Sequence, residues 1–139
     1  MRVADILKKK GSSVVTLPSA ATVGQLLETL DDNKIGAVVV VEDDQCIGVV
    51  SERDVVHHFR TGRDLSSTVA ELMSPDLHPV AAQDDLVELA RTMTERRLRH
   101  LPVIEDGNLR GIISIGDVVK ARLDALEAER DMLEDYLRR

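Results

Sequence analysis

The chain has no tryptophan, and Phe59 and Tyr136 are the only aromatics among its 139 residues. Single-stranded nucleic-acid modules stack bases on aromatic platforms, and this sequence has almost none to offer. Cys46 is the sole cysteine, so no disulfide can form within the chain. The four histidines are poorly spaced for a metal. His57 and His58 are adjacent and would diverge by about 100° on a helix, while His78 and His100 stand alone. No metal site is expected. No apolar run approaches the roughly 20 residues that span a bilayer, and MRVADILKKKGSS lacks the apolar core and small-residue cleavage site of a secretion signal. A soluble, cytoplasmic protein without a membrane partner is expected. The formal net charge of −7 repels phosphate backbones at long range, so no nucleic-acid partner is expected either. A local basic patch can still hold one small anion.

What the chain does have is aliphatic bulk and internal repetition. Hydrophobic residues make up 43%, enough for a buried interior built from Val, Leu, Ile and Ala. A shift of 63 positions lays Gly48, Ser51, Asp54, Val55 and Val56 over Gly111, Ser114, Asp117, Val118 and Val119 without a gap. The same shift lays Val23-Asn33 over Leu86-Arg96 and Glu42-Asp43 over Glu105-Asp106. Upstream, Val3-Ala4-Asp5-Ile6-Leu7 matches Val69-Ala70-Glu71-Leu72-Met73 at an offset of 66. The three extra residues fit a difference in loop length around Gly11-Ser12-Ser13.

Both halves read alike. Val14-Leu17 before Pro18 is a short strand and a stop. Val23, Leu26, Leu27 and Leu30 form one helical stripe, and Leu86, Leu89, Ala90 and Met93 form its copy. Ala37-Val41 is a β-branched run too short for a helix and reads as a buried strand. Glu42-Gln45 and Glu105-Asn108 supply turns, after which Cys46-Val50 and Leu109-Ile113 return as hairpin partners. A helix follows from near Glu52 in one half and near Ile115 in the other. Either half alone would bury its apolar faces poorly. The expected fold is therefore α/β (α+β): two β-α-β-β-α repeats packed sheet to sheet with pseudo-two-fold symmetry, plus a C-terminal helical extension. Residues 1–62 are assigned to the first repeat, 63–120 to the second and 121–139 to the extension, with Thr61-Asp64 as the polar link.

The repeated run G-h-h-S-x-x-D stands at a strand-to-helix junction in each half: Gly48-Asp54 and Gly111-Asp117. Ser at an N-cap with an acid three residues on is close to a capping box, and the runs can be no more than that. The same geometry suits a nucleotide. A helix N-terminus holds phosphate on free N–H groups, Ser51 or Ser114 adds a donor, and Arg53 adds a full charge in the first half. Asp54 or Asp117, one turn on, can accept from vicinal ribose hydroxyls. Both junctions are expected to face one shared groove.

The repeat resembles the cystathionine-β-synthase-type (CBS) domain, and residues 3–60 and 69–120 together resemble a stand-alone CBS pair, or Bateman module. The resemblance implies a regulatory module rather than an enzyme. It implies AMP, ATP, NAD(H) or S-adenosylmethionine as ligand, of which AMP, ATP and NAD(H) lead. It places the phosphate on Ser51 and Ser114 and the ribose on Asp54 and Asp117. It also lines base pockets with Val15, Thr16, Ala37 and Val38 in one half and His78, Pro79, His100 and Leu101 in the other. Arg96 and Arg97 suit a solvated helix end, whereas Arg99, His100 and more weakly Arg97 are placed by the resemblance near a phosphate of the neighbouring site. The sites differ: Gly116 replaces Arg53, and Arg99-His100 replaces Gly36-Ala37.

The tail from Asp117 to Arg139 has no Gly or Pro. Val119, Leu123, Leu126, Leu133 and Leu137 make a short heptad seam with Arg130 in one place. That seam can lie on the chain's own core or pair with a second copy, and a homodimer is favoured. The leading expectation is an adenine-nucleotide sensor acting on an unidentified regulated protein. The alternative is a structural dimerisation module with vestigial pockets. No Ser-His-Asp set, metal cluster or carboxylate pair supports an enzyme.

Overall fold

The computed structural model describes residues 1–11, 13–74 and 77–139, so the expected loop difference at Ser12 lies outside the described residues. Eleven elements follow in order among those residues: α1 (Val3–Lys10), β1 (Thr16–Leu17), α2 (Val23–Asn33), β2 (Ala37–Glu42), β3 (Gln45–Ser51), α3 (Glu52–Arg60), α4 (Val69–Leu72), α5 (Leu86–Arg96), β4 (His100–Glu105), β5 (Asn108–Ser114) and α6 (Ile115–Leu137). Local chemistry sets the ends. Thr22 caps α2, its hydroxyl accepting from Gln25 N at 3.1 Å while the Gln25 amide accepts from Thr22 N at 2.9 Å. α2 and α5 both end in a left-handed residue, Lys34 and Arg97. Val23, Leu26 and Leu30 point inward, whereas Leu27 sits at the edge of the stripe and is exposed.

Both hairpins turn on two residues with positive φ, Asp43-Asp44 and Asp106-Gly107, as a type I′ turn requires. The two ladders are the same ladder. Ala37 faces Ser51 and His100 faces Ser114, Val40 faces Gly48 and Val103 faces Gly111, and each ladder breaks register one residue later. Strand β1 runs parallel to β2, but only Thr16 and Leu17 of the expected four residues pair. Pro18, which has no N–H to donate, follows directly. In the second half this strand shrinks to a single bridge from Val80 to Val103. The sheets meet where β3 packs against β4 and β5.

The leading helices are exchanged between halves. Val3 and Ile6 of α1 are buried with Leu86, Leu89, Met93, Val103 and Ile113 of the second half, and Leu7 packs on that core. Val69 of α4 is buried with Val23, Leu26, Leu30, Val38 and Val50 of the first, and Leu72 and Met73 pack there. Backbone bonds repeat the exchange: Val3 N donates to Asp84 O at 3.1 Å, and Val69 N to Ala21 O at 2.7 Å. The motif glycines make room for it. A Cβ on Gly111 would stand 2.6 Å from Leu7 Cδ2, and one on Gly48 would stand 2.9 Å from Met73 Sδ.

Helix α6 begins on the second core through Val118 and then leaves it. Its 23 residues span about 34 Å. Val119, Leu123, Leu126, Leu133 and Leu137 are all exposed, so the seam does not lie on the chain's own core. No helix among the described residues is long and apolar enough to cross a membrane.

Candidate functional site

Each strand-to-helix junction is a complete capping box. Asp54 Oδ2 accepts from Ser51 N at 2.8 Å and from Ser51 Oγ at 3.1 Å, and Asp54 N donates back to Ser51 Oγ at 3.4 Å. In the second half Asp117 Oδ2 accepts from Ser114 N at 2.9 Å, and Asp117 N donates to Ser114 Oγ at 3.0 Å. Strand and helix are thus joined at a fixed angle, with Ser and Asp half-buried at the turn.

The first junction opens on a cavity of about 600 Å³ between the halves. Its floor carries Ser51, Arg53 and Asp54 from the first half, and its far wall carries His78, Arg97, Arg99, His100 and Leu101 from the second. Eight of the sequence-predicted residues therefore meet in one place, across the repeats rather than within one. Pro79 lines an adjoining cavity of about 450 Å³ that shares His78, Arg96, Leu98 and Leu101 with the first. Val15, Thr16, Ala37 and Val38 are not on these walls. Val38 is fully buried in the first core, Ala37 is buried beside it, Val15 packs against that core and Thr16 is exposed.

The cavity also recruits residues that sequence reasoning passed over. Arg96, read as a solvated helix end, lines it, and so do Gly36 and Glu52. Gly36 lies beside His100: a Cβ there would stand 3.6 Å from His100 Nε2, an ordinary contact distance. The visible signal was the repeat itself, where Gly36 aligns with Arg99 and Ala37 with His100. Among the described residues, four arginines line the cavity, Arg53, Arg96, Arg97 and Arg99, against two acids, Glu52 and Asp54. Such a wall favours a phosphorylated ligand, since each fork can hold two phosphate oxygens. The Asp54 carboxylate is bound through one oxygen by its cap, which leaves the other for hydroxyls.

The second junction is built differently. Lys10, at the end of α1, donates to Asp117 Oδ2 at 2.7 Å and to Ile112 O at 2.9 Å. Burial pushes the Asp117 carboxyl up, but the Lys10 hydrogen bond, the Ser114 bonds and the Lys10 charge together hold it below its ordinary range. The cavity beside it measures about 230 Å³ and is lined by Asp117 but not by Ser114. The two junctions do not share a groove, because α1 stands over the second one. Among the described residues, no group of three or more His, Cys, Asp or Glu side chains is gathered as a metal would need.

His100 links the two regions. Burial lowers its basicity, and the charges of Lys10 and Arg99 lower it further, against the opposite pull of Asp117 and Asp54. The ring is therefore neutral at pH 7 and can act as donor or acceptor. Because its folded pKa lies below its unfolded one, its contribution to stability is present above about pH 6.5 and is lost as pH falls through the lowered value. The urea midpoint should accordingly drop further between about pH 7 and pH 5 in the native chain than in His100→Gln. Equal drops would show that His100 is not the group responsible.

Known proteins resemble both the sequence and this arrangement. The CBS domain profile matches residues 3–61 and again 69–124. A mitochondrial CBS domain-containing protein of Arabidopsis thaliana is 31% identical over 146 residues, covering 97% of this chain and 71% of that protein. A CBS-domain containing protein of Agrobacterium tumefaciens superposes with a TM-score of 0.82 at 41% identity, over 88% of this chain and 99% of that one. A CBS domain protein of Pyrobaculum aerophilum, solved in complex with AMP, superposes with a TM-score of 0.75 at 26% identity, over 84% of this chain and 89% of that one.

Proposed function

Because the chain belongs to the CBS-domain family, with two copies of the domain in tandem, we propose that it is a cytoplasmic regulatory module that binds an adenine nucleotide between its halves and performs no catalysis of its own. AMP, ATP and NAD(H) are the ligands that fit the reading. One observation carries it: Ser51, Arg53 and Asp54 share the cavity of about 600 Å³ with Arg97, Arg99 and His100 of the other repeat. The assigned roles are Asp54 on the ribose hydroxyls, Ser51 and the arginines on phosphate, and His78 and Leu101 beside the base. The AMP complex of the Pyrobaculum relative supports the ligand class. A ligand touching both halves signals only if it binds two of their packings with different affinity, and an unidentified regulated protein would read that difference.

A thermal-shift series with AMP, ATP, NAD and NADH tests the reading. A ligand at a hundredfold excess over its Kd stabilises by about 2.7 kcal/mol, which in a domain of this size raises Tm by roughly 9 °C. No shift with any of the four would remove the nucleotide from the account.

The second reading, a structural dimerisation module, is favoured by the exposed seam on α6, where Leu133 is 60% and Leu137 80% accessible. It is compatible with the first, and we propose that the chain is a homodimer paired through this helix. The double variant Leu126→Asp/Leu133→Asp should halve the mass measured by light scattering. A native chain that is already monomeric would overturn the pairing.

A further inference from the structure

The two junctions are copies of one motif in sequence and unlike in space, and one of the differences is a lysine that reaches only the second. At the offset of 66 that relates α1 to α4, Lys10 aligns with Asp76, so the first junction has no lysine in the corresponding place in the sequence. At the second, the Lys10 ammonium rests on the carboxylate oxygen that also closes the cap, and on a carbonyl of β5. The lysine is delivered there by a well-anchored helix: Val3 and Ile6 are buried in the second core, and Leu7 fills the space left by Gly111. The pair is only partly open to water, with side-chain exposures of 35% for Lys10 and 24% for Asp117.

We propose that Lys10 is a tethered plug that occupies the sugar-binding face of Asp117, so that the chain takes one nucleotide, in the first cavity only. The inference rests on the nucleotide reading of the first cavity but concerns a different junction. A ribose hydroxyl is a neutral donor. Asp117 Oδ2 carries both the cap and the ammonium, so a ribose diol is left with Oδ1 alone, on a carboxylate whose charge a cation held at 2.7 Å already neutralises. The cations differ too: Gly116 stands where the first junction has Arg53, and the second cavity is lined by Lys9, Lys10 and Lys120, which lack the planar fork of arginine. The arginines that could compensate, Arg96, Arg97 and Arg99, all line the first cavity.

The experiment is calorimetric titration of the full chain with AMP. The native protein should bind one AMP per chain, and Asp54→Ala should weaken that site at least tenfold. Lys10→Met keeps the length and apolar stem of the side chain, so α1 stays docked, and it should bind two. Adding Asp117→Ala to Lys10→Met should return the count to one. Lys10→Gln serves as a second variant should the methionine chain not fold. Two sites in the native protein, or one site in both Lys10 variants, overturns the plug while leaving the first cavity intact. No site in the native chain with one in Lys10→Met that depends on Asp117 upholds the plug and overturns the reading of the first cavity. No AMP in any variant overturns both.

Discussion

Replacing Asp54 by Ala is expected to weaken nucleotide binding in the large cavity by roughly 100-fold. The loss corresponds to about 3 kcal/mol, the size expected when hydrogen bonds from two hydroxyls to one carboxylate disappear. The same substitution also opens the capping box, because both Ser51 N and Ser51 Oγ donate to Asp54 Oδ2. That second effect costs about 1 kcal/mol of stability and should lower Tm by roughly 3 °C. Asp54→Asn separates the two. An asparagine oxygen still accepts from Ser51 N, so the helix stays capped, but the charge that holds the sugar is gone, and binding should fall about tenfold at nearly native Tm. Calorimetry read beside thermal melting distinguishes the roles. If Asp54→Ala lowers Tm while affinity for AMP, ATP, NAD and NADH is unchanged, Asp54 is a cap and nothing more.

Much of this architecture was legible because the chain states it twice. The 63-residue shift that lays Gly48 over Gly111 in the sequence also relates the two ladders, down to the break in register beside each glycine. Helix starts at Glu52 and Ile115 follow from serine caps that are visible without coordinates. Less legible was anything that depends on which half a segment joins. Periodicity reports that Val3 and Ile6 share a face, yet the same face would fit either core, and only the folded chain puts α1 on the second. The cavity shows the same limit. Spacing alone paired Ser51 with Asp54, whereas Arg97, Arg99 and His100 of the opposite repeat were placed near a phosphate of the neighbouring site by the family resemblance and not by periodicity. Lys10 is the extreme case. Inside Lys8-Lys9-Lys10 it resembles a solvated run at a helix C-terminus, and its acceptor lies 107 residues further on.

The helix exchange makes a prediction of its own, and it turns on the sign of a glycine substitution. Gly111 lies in β5 without a positive φ, so alanine there would ordinarily stabilise the strand by up to about 1 kcal/mol. Its Cβ, however, would meet Leu7 Cδ2 at 2.6 Å, closer than two carbons can stand. Leu7 must then change rotamer or shift against the second core, at a cost of about 1–3 kcal/mol. Gly111→Ala is therefore expected to destabilise, while Gly48→Ala should cost less than about 1 kcal/mol, because the atom it meets is the flexible thioether of Met73. Leu7→Ala alone should cost about 1–3 kcal/mol through lost packing. The informative chain is the double variant: with Leu7 shortened, the alanine at 111 has room, so the two costs should fall short of their sum by about 1 kcal/mol or more. Urea unfolding of the four chains measures the coupling. Strict additivity would mean that Leu7 and Gly111 do not touch, and then α1 would not hold Lys10 over Asp117 in the way the second junction requires.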